Sequence, residues 1–498
     1  MKKILFIVAI ALTFHLSPLT SQAQDAVYKL LKQEWTVNAD GTSDYHYRHE
    51  VQILRNRALT AYADKGETFV VYNPDLEELT VNDVFTVRPD GSRVDMPQNA
   101  FVYQLPSECA DCGRFNHFRE LAMVHTGMEL GCIIVVDYTI HRKYNLLNET
   151  VRLARECPIE RLEVKVNVPE GQELNVQLDD PKVLPFRADV GRTANSYGLV
   201  ANNVPQTFVD SYLPPAAQLY PMLHFFNGAV ELTPAADDMP AAEADALVQK
   251  VADAAITTAG PDGDRDIVRA VHNYVLDNIH LNDIHPSHLG YVHATAAQVC
   301  QSACGTAAEK AVLMAAMLGR LGYQARVVGD NYDEVGVRID TMEYRLSTRY
   351  HGDMELLGEA KDEVATFVMT GTKTPALTPL EGDFFRLRLP AMPGEPSVKA
   401  SNMPLTRTAP LMGQACDLQC NITIPLPKGV KMVEKNISKK LAFDGIGSVE
   451  VTVKQSGSRL KVVRNLKLDK SLVSVAEYAQ YRRLIALWQT TDVVMLRK

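Results

Sequence analysis

The sequence predicts an α+β multidomain protein, and three observations carry that prediction. From Ala26 to about Gly171 the chain runs in β-branched and aromatic stretches cut by turn residues. Between 242 and 321 it becomes Ala-rich with helical periodicity, and after 411 strand patterns return and end on a single helix. At 498 residues and 46% hydrophobic content, the chain is long enough for several cores and apolar enough to fill them.

The chain opens on a leader. Lys2 and Lys3 precede an apolar run from Ile4 to Leu12, and Ser21-Gln22-Ala23 supplies a small-x-small cleavage site, so residues 1–23 read as a secretory signal peptide. No later apolar stretch approaches the roughly 18 residues of a membrane span. No transmembrane segment is therefore expected after cleavage, and the expected destination is export, to a periplasm or the outer cell surface. Cleavage removes two lysines and no acid, taking the formal charge from −9 to −11. That balance argues against nucleic acid as a partner.

Residues 24–240 are expected to form a β-rich domain, an antiparallel sandwich or half-barrel. Its runs "YKLLKQEWTV", "SDYHYRHEVQIL", "VNDVFTV" and "VKVNV" are bounded by turns at 38–41, 89–91 and 169–171. His46, His49, His117 and His125 are read as solvated or hydrogen-bonded, not as metal ligands. A Pro- and Asp-rich linker follows at 234–240.

Helices come next. Residues 242–257 form an amphipathic helix, and in 264–280 Ile267, Val268, Val271, Tyr274, Val275 and Ile279 share one face. His272 sits at that core edge. The loop bearing His285, His288 and His293 reads as solvated, with a cleft lining as the alternative. Gly305 then makes a turn, and Thr306 with Glu309 makes a capping box that starts a helix at Ala307. Ala307, Ala311, Ala315 and Gly319 give it a small-residue face, Leu313, Met317 and Leu321 an apolar one, and Gly322 closes it before a strand from Tyr323 to Val328.

The eight cysteines fall in close pairs, Cys109 with Cys112, Cys300 with Cys304 and Cys416 with Cys420, leaving Cys132 and Cys157. Local disulfides or free thiols are expected; a second half for a zinc site at Cys109 and Cys112 is missing, so no metal and no cofactor is expected. A Pro-rich stretch after the middle strands is expected to wrap the core over 241–410. Residues 411–498 then form a small β domain with a hairpin at 456–458 and a helix capped by Ser474 and Glu477.

Without a gap, "HATAAQVCQSACGTAAEKAVLMAAMLGRLGYQARVV" resembles the nucleophile segment of the transglutaminase-like superfamily, whose papain-type core places a catalytic Cys at the start of this helix. Gly305 and Thr306 match the pattern, and the Cys position is Ala307. The resemblance places a His where "YDEVGVRID" has Asp333 or Glu334, and an Asp where "EYRLST" has Ser347. Thiolate attack needs a Cys, an activating base and an orienting acceptor, and an Ala methyl supplies none of them. The flanking segments resemble the β domain of unknown function that precedes such cores in exported bacterial proteins, and the small β domain that closes them.

Two readings follow. The first is a pseudoenzyme: a transglutaminase-like core retained as a scaffold or as a module binding a peptide, a glycan or another envelope protein. The second is a cysteine peptidase or acyl transferase in which Cys304, at the helix start, is the nucleophile and His293 or His351 the displaced base. A Cys300–Cys304 disulfide is a further alternative for that thiol.

Overall fold

The computed structural model describes residues 24–59, 69–228, 233–235, 239–260, 263–328, 335–340, 342–346, 365–374, 377–392, 394–396 and 398–498. Asp333, Glu334, Ser347 and His351 lie outside the described residues.

The N-terminal unit is built on an eight-stranded sheet. Its order is Ala188–Arg192, Ser196–Val204, Ile159–Asn167, Ala26–Val37, Ser43–Ile53, Ile133–Arg142, Glu77–Val87, Arg93–Asp95. Alternation in the sequence sets the faces: along Ala26–Val37, Leu31, Trp35 and Val37 are buried, and Trp35 meets Phe225 edge-on with ring centroids 4.9 Å apart. The sheet is not antiparallel throughout, as the sequence suggested. Ala26–Val37 pairs in parallel with Ile159–Asn167, Tyr28 opposite Ile159. More than a hundred residues separate the two strands, which leaves room for the long crossover a parallel pair requires. Among the described residues the unit also has two three-stranded sheets, one of Asn175–Asp179, Met222–Phe226 and Asn148–Arg152, the other of Phe69–Tyr72, Arg119–Met123 and Phe101–Gln104.

The middle unit is helical with a small sheet. Helix α1 spans Ala241–Ile256, α2 Asp264–Asn278, α3 Ala296–Ser302 and α4 Ala307–Arg320. Both α3 and α4 begin on complete capping boxes, Thr295 with Gln298 and Thr306 with Glu309. Helix α4 is the centre of this core: Ala311, Leu313, Met314, Met317 and Leu318 are fully buried against α1, α2 and the strands Ala325–Val328 and Gly336–Ile339. Gly322, at φ +90°, takes the left-handed position past its end.

The C-terminal unit holds a five-stranded sheet, a four-stranded sheet and helix α5, Tyr478–Thr490, whose Tyr478, Tyr481, Leu484, Ile485 and Trp488 are buried. The hairpin turns at Gly457 and Ser458, between Gly447–Ser456 and Arg459–Leu468. One boundary is corrected. The Pro-rich stretch from Glu381 to 410, expected to wrap the helical core, belongs here as far as its described residues go: Phe384–Arg388 pairs with Val493–Arg497, and the strand before it, Ala365–Thr372, pairs with Cys416–Pro425. Leu387, Leu389, Met392 and Met403 fill the same apolar core, so strand pairing decides where this Pro-rich stretch goes. Ser474 and Glu477 form the turn before α5, with Ser474 Oγ donating to Glu477 at 2.7 Å.

Candidate functional site

Helix α4 starts where the sequence places it. Cys304–Gly305 pairs in parallel with His280–Leu281, Thr306 is the cap, and Ala307 is the first helical residue and partly buried. Two residues on, Glu309 is fully buried and its carboxylate is saturated. It accepts from the Ala294 N–H at 2.8 Å, from the Thr306 N–H at 2.8 Å, and from Arg114 of the N-terminal unit through both Nη atoms, at 2.9 and 2.5 Å. Burial alone would raise this carboxyl; the Arg114 bonds and charge and the two backbone donors outweigh it and hold the group below the usual carboxylate range. Lys310 is equally buried and donates to the Ile279 carbonyl at 2.8 Å. Burial pushes its ammonium down to about 8, against a smaller opposing pull from Asp277.

Cys304 is bonded to Cys112, 192 positions away, with Cα atoms 5.8 Å apart. This corrects two expectations. The bridge is neither Cys300–Cys304 nor Cys109–Cys112 but a link between the two units, because the fold packs the 109–118 loop against the helix start in one cluster of Cys109, Cys112, Phe115, Phe118, Ile284 and Cys304. Nor is Cys304 a nucleophile in this form, since a disulfide sulfur carries no thiolate. The alternative base His293 is buried and donates from Nδ1 to the Ala294 carbonyl at 2.9 Å. Cys109 and Cys300 are free thiols that burial pushes up to about 11, and burial likewise pushes Cys416 up to about 12.

Beside the bridge, the histidine loop docks on the N-terminal sheet through buried charges that sequence reading missed. Arg142 stands between Glu149, at 2.8 Å, and Glu77, at 3.3 Å, and Glu77 also contacts His288 Nδ1 at 2.7 Å. Asn73 donates to the His288 carbonyl at 2.7 Å and Tyr144 to the Ser287 carbonyl. His288 thus belongs to an interface, not to a solvated loop. A cavity of about 540 Å³ opens there, lined by residues of both units that include Val71, Glu108, Asp283, His285 and His288. Of the other histidines, His46 bonds to Asp137 at 2.8 Å, while His49 is buried beside Tyr47, burial driving it down to about 3. Among the described residues, no three His, Cys, Asp or Glu side chains are grouped as metal ligands.

The capped helix that begins on a Gly turn, the short parallel bridge before it and the antiparallel sheet after it lie in the chain between two β units. Residues 249–354 match the model of the transglutaminase-like superfamily, residues 39–197 that of the domain of unknown function DUF3857, and residues 386–494 that of DUF3858. The chain therefore carries a transglutaminase-like core between these two domains. A candidate protease from Parabacteroides distasonis has the same fold: the structures align with a TM-score of 0.73 over 95% of this chain and 99% of that one, at 22% identity. An M1 zinc metallopeptidase from Deinococcus radiodurans aligns over 55% of this chain and 56% of its own at 11% identity, but its TM-score of 0.19 carries no structural argument. A comparison with curated proteins finds no match.

Proposed function

We propose that this chain is an exported, non-catalytic member of the transglutaminase-like superfamily, acting as a scaffold or binding module for a peptide, a glycan or another envelope protein. The observation that carries this reading is Ala307 at the first position of α4, after Gly305 and Thr306, where the superfamily has its nucleophile. An Ala methyl forms no covalent intermediate. The nearest sulfur in sequence, that of Cys304, is held by Cys112. A bridge between units also suits an oxidising compartment, as the leader does.

The test is turnover. The mature protein, with and without reductant, is incubated with a casein digest, and mass spectrometry follows new peptide termini and new Gln–Lys isopeptide links. The expected result is an unchanged digest in both. Steady product formation by the wild-type protein would overturn the reading; its loss on Cys304→Ser would identify that thiol as the nucleophile, and its survival would point to a different one.

A further inference from the structure

The three-stranded sheet of the N-terminal unit ends, among the described residues, on Phe101–Gln104. Edge strands are ordinarily blunted by lysine or proline, because an open edge pairs with other chains. This one carries no charge, and it is apolar and open: Val102 is 44% exposed and Tyr103 59%. The register sets Val102 opposite Ala122, so Val124, 53% exposed two residues further on, extends the same apolar face.

Beyond Gln104 the chain leads through Leu105 and Pro106 directly into the 540 Å³ cavity between the units. Among the described residues, Glu108 and Asp283 line it together with His285 and His288, and no Lys or Arg does. A strand added antiparallel to Phe101–Gln104 would bring its amino-terminal end to that mouth. The edge thus offers main-chain pairing, the face offers apolar contacts at alternate positions, and the cavity offers negative charge at one end.

We propose that the sheet edge at Phe101–Gln104 and the adjoining cavity form one site for an extended peptide, which pairs antiparallel with the edge and places an amino-terminal cation, a lysine or a free ammonium, beside Glu108 and Asp283. This rests on the reading of the chain as a binding module and supplies the ligand's class and place. It does not use the surroundings of Ala307.

The probe is the peptide Lys-Val-Ser-Val-Thr-Val with a free amino terminus and a fluorophore at its carboxyl end, titrated with mature protein by anisotropy. The comparator is the same peptide N-acetylated, with Glu in place of Lys. Val102→Asp puts a charge on the open face and Glu108→Lys inverts the cavity; both side chains are exposed, and thermal melts confirm that the variants fold. Saturable binding is expected, about tenfold weaker for the comparator and about fivefold weaker for each variant. No saturation by about 1 mM protein, or equal affinity for both peptides and all proteins, overturns the site. Cleavage of the bound probe, read by mass spectrometry, is a distinct result: it would refute the non-catalytic reading while leaving the site in place.

Discussion

Cys304→Ser cuts the covalent tie between the N-terminal unit and the transglutaminase-like core. The bridge closes a loop of 192 residues. In the chain-entropy picture a loop of that length removes about 18 cal/mol/K from the unfolded ensemble, or about 5 kcal/mol at room temperature. That figure is an upper bound, because a unit that opens alone relaxes only part of the loop. For units of this size it corresponds to a melting point lowered by at most about 10–20 °C. The assay has two parts. Non-reducing proteolysis and mass spectrometry of the mature protein identify the linked peptides, and melts compare oxidised wild type, reduced wild type and Cys304→Ser. The expected pattern is a Cys112–Cys304 peptide, with the last two proteins melting alike and below the first. Recovery of Cys109–Cys112 or Cys300–Cys304 peptides in folded protein, or equal melting of all three, would refute the reasoning.

Two further outcomes follow from buried charges. Lys310 titrates at about 8 when folded, below the roughly 10.4 of an unfolded lysine, so between those values the unfolded chain holds a proton that the folded chain has released. Stability therefore rises with pH through this window, by about 3 kcal/mol in all, and denaturant melts of wild type should gain on Lys310→Met from pH 8 to pH 10; parallel curves would deny the shift. Arg142→Leu leaves Glu77 and Glu149 buried without their cation, at a cost of about 3–5 kcal/mol near neutral pH that shrinks as the carboxylates protonate. Equal losses at pH 7.5 and pH 5 in equilibrium unfolding would show that charge is not the cause.

Local features were legible in the sequence because their causes are local. The Thr306 and Glu309 capping box, the start of α4 at Ala307, the Gly322 terminator and the hairpin at Gly457 each follow from residues within a few positions of one another. The relations that build the site were not. Close spacing suggested Cys300 and Cys304 as a pair, yet the partner is Cys112, brought there by a loop that no periodicity marks. Glu309 was read as a cap alone, while its strongest bonds go to Arg114, 195 positions upstream. Glu77, Arg142 and His288 likewise come from separate segments, and their only signal was the improbability of burying such groups unpaired. The Pro-rich stretch from Glu381 to 410 misled for a related reason: its Leu and Met residues fit any apolar surface, and strand pairing far along the chain selects one.

The parallel pairing of Ala26–Val37 with Ile159–Asn167 has a consequence for the order of assembly. Ala26–Val37 can find Ser43–Ile53 at once, through a short turn, but its other edge stays open until Ile159 and its neighbours arrive. For that interval the chain carries a half-finished sheet whose apolar edge invites any passing strand. Closing it means bringing together segments some 130 residues apart, a slow step for loop-entropy reasons. The centre of the large sheet is begun early and finished late.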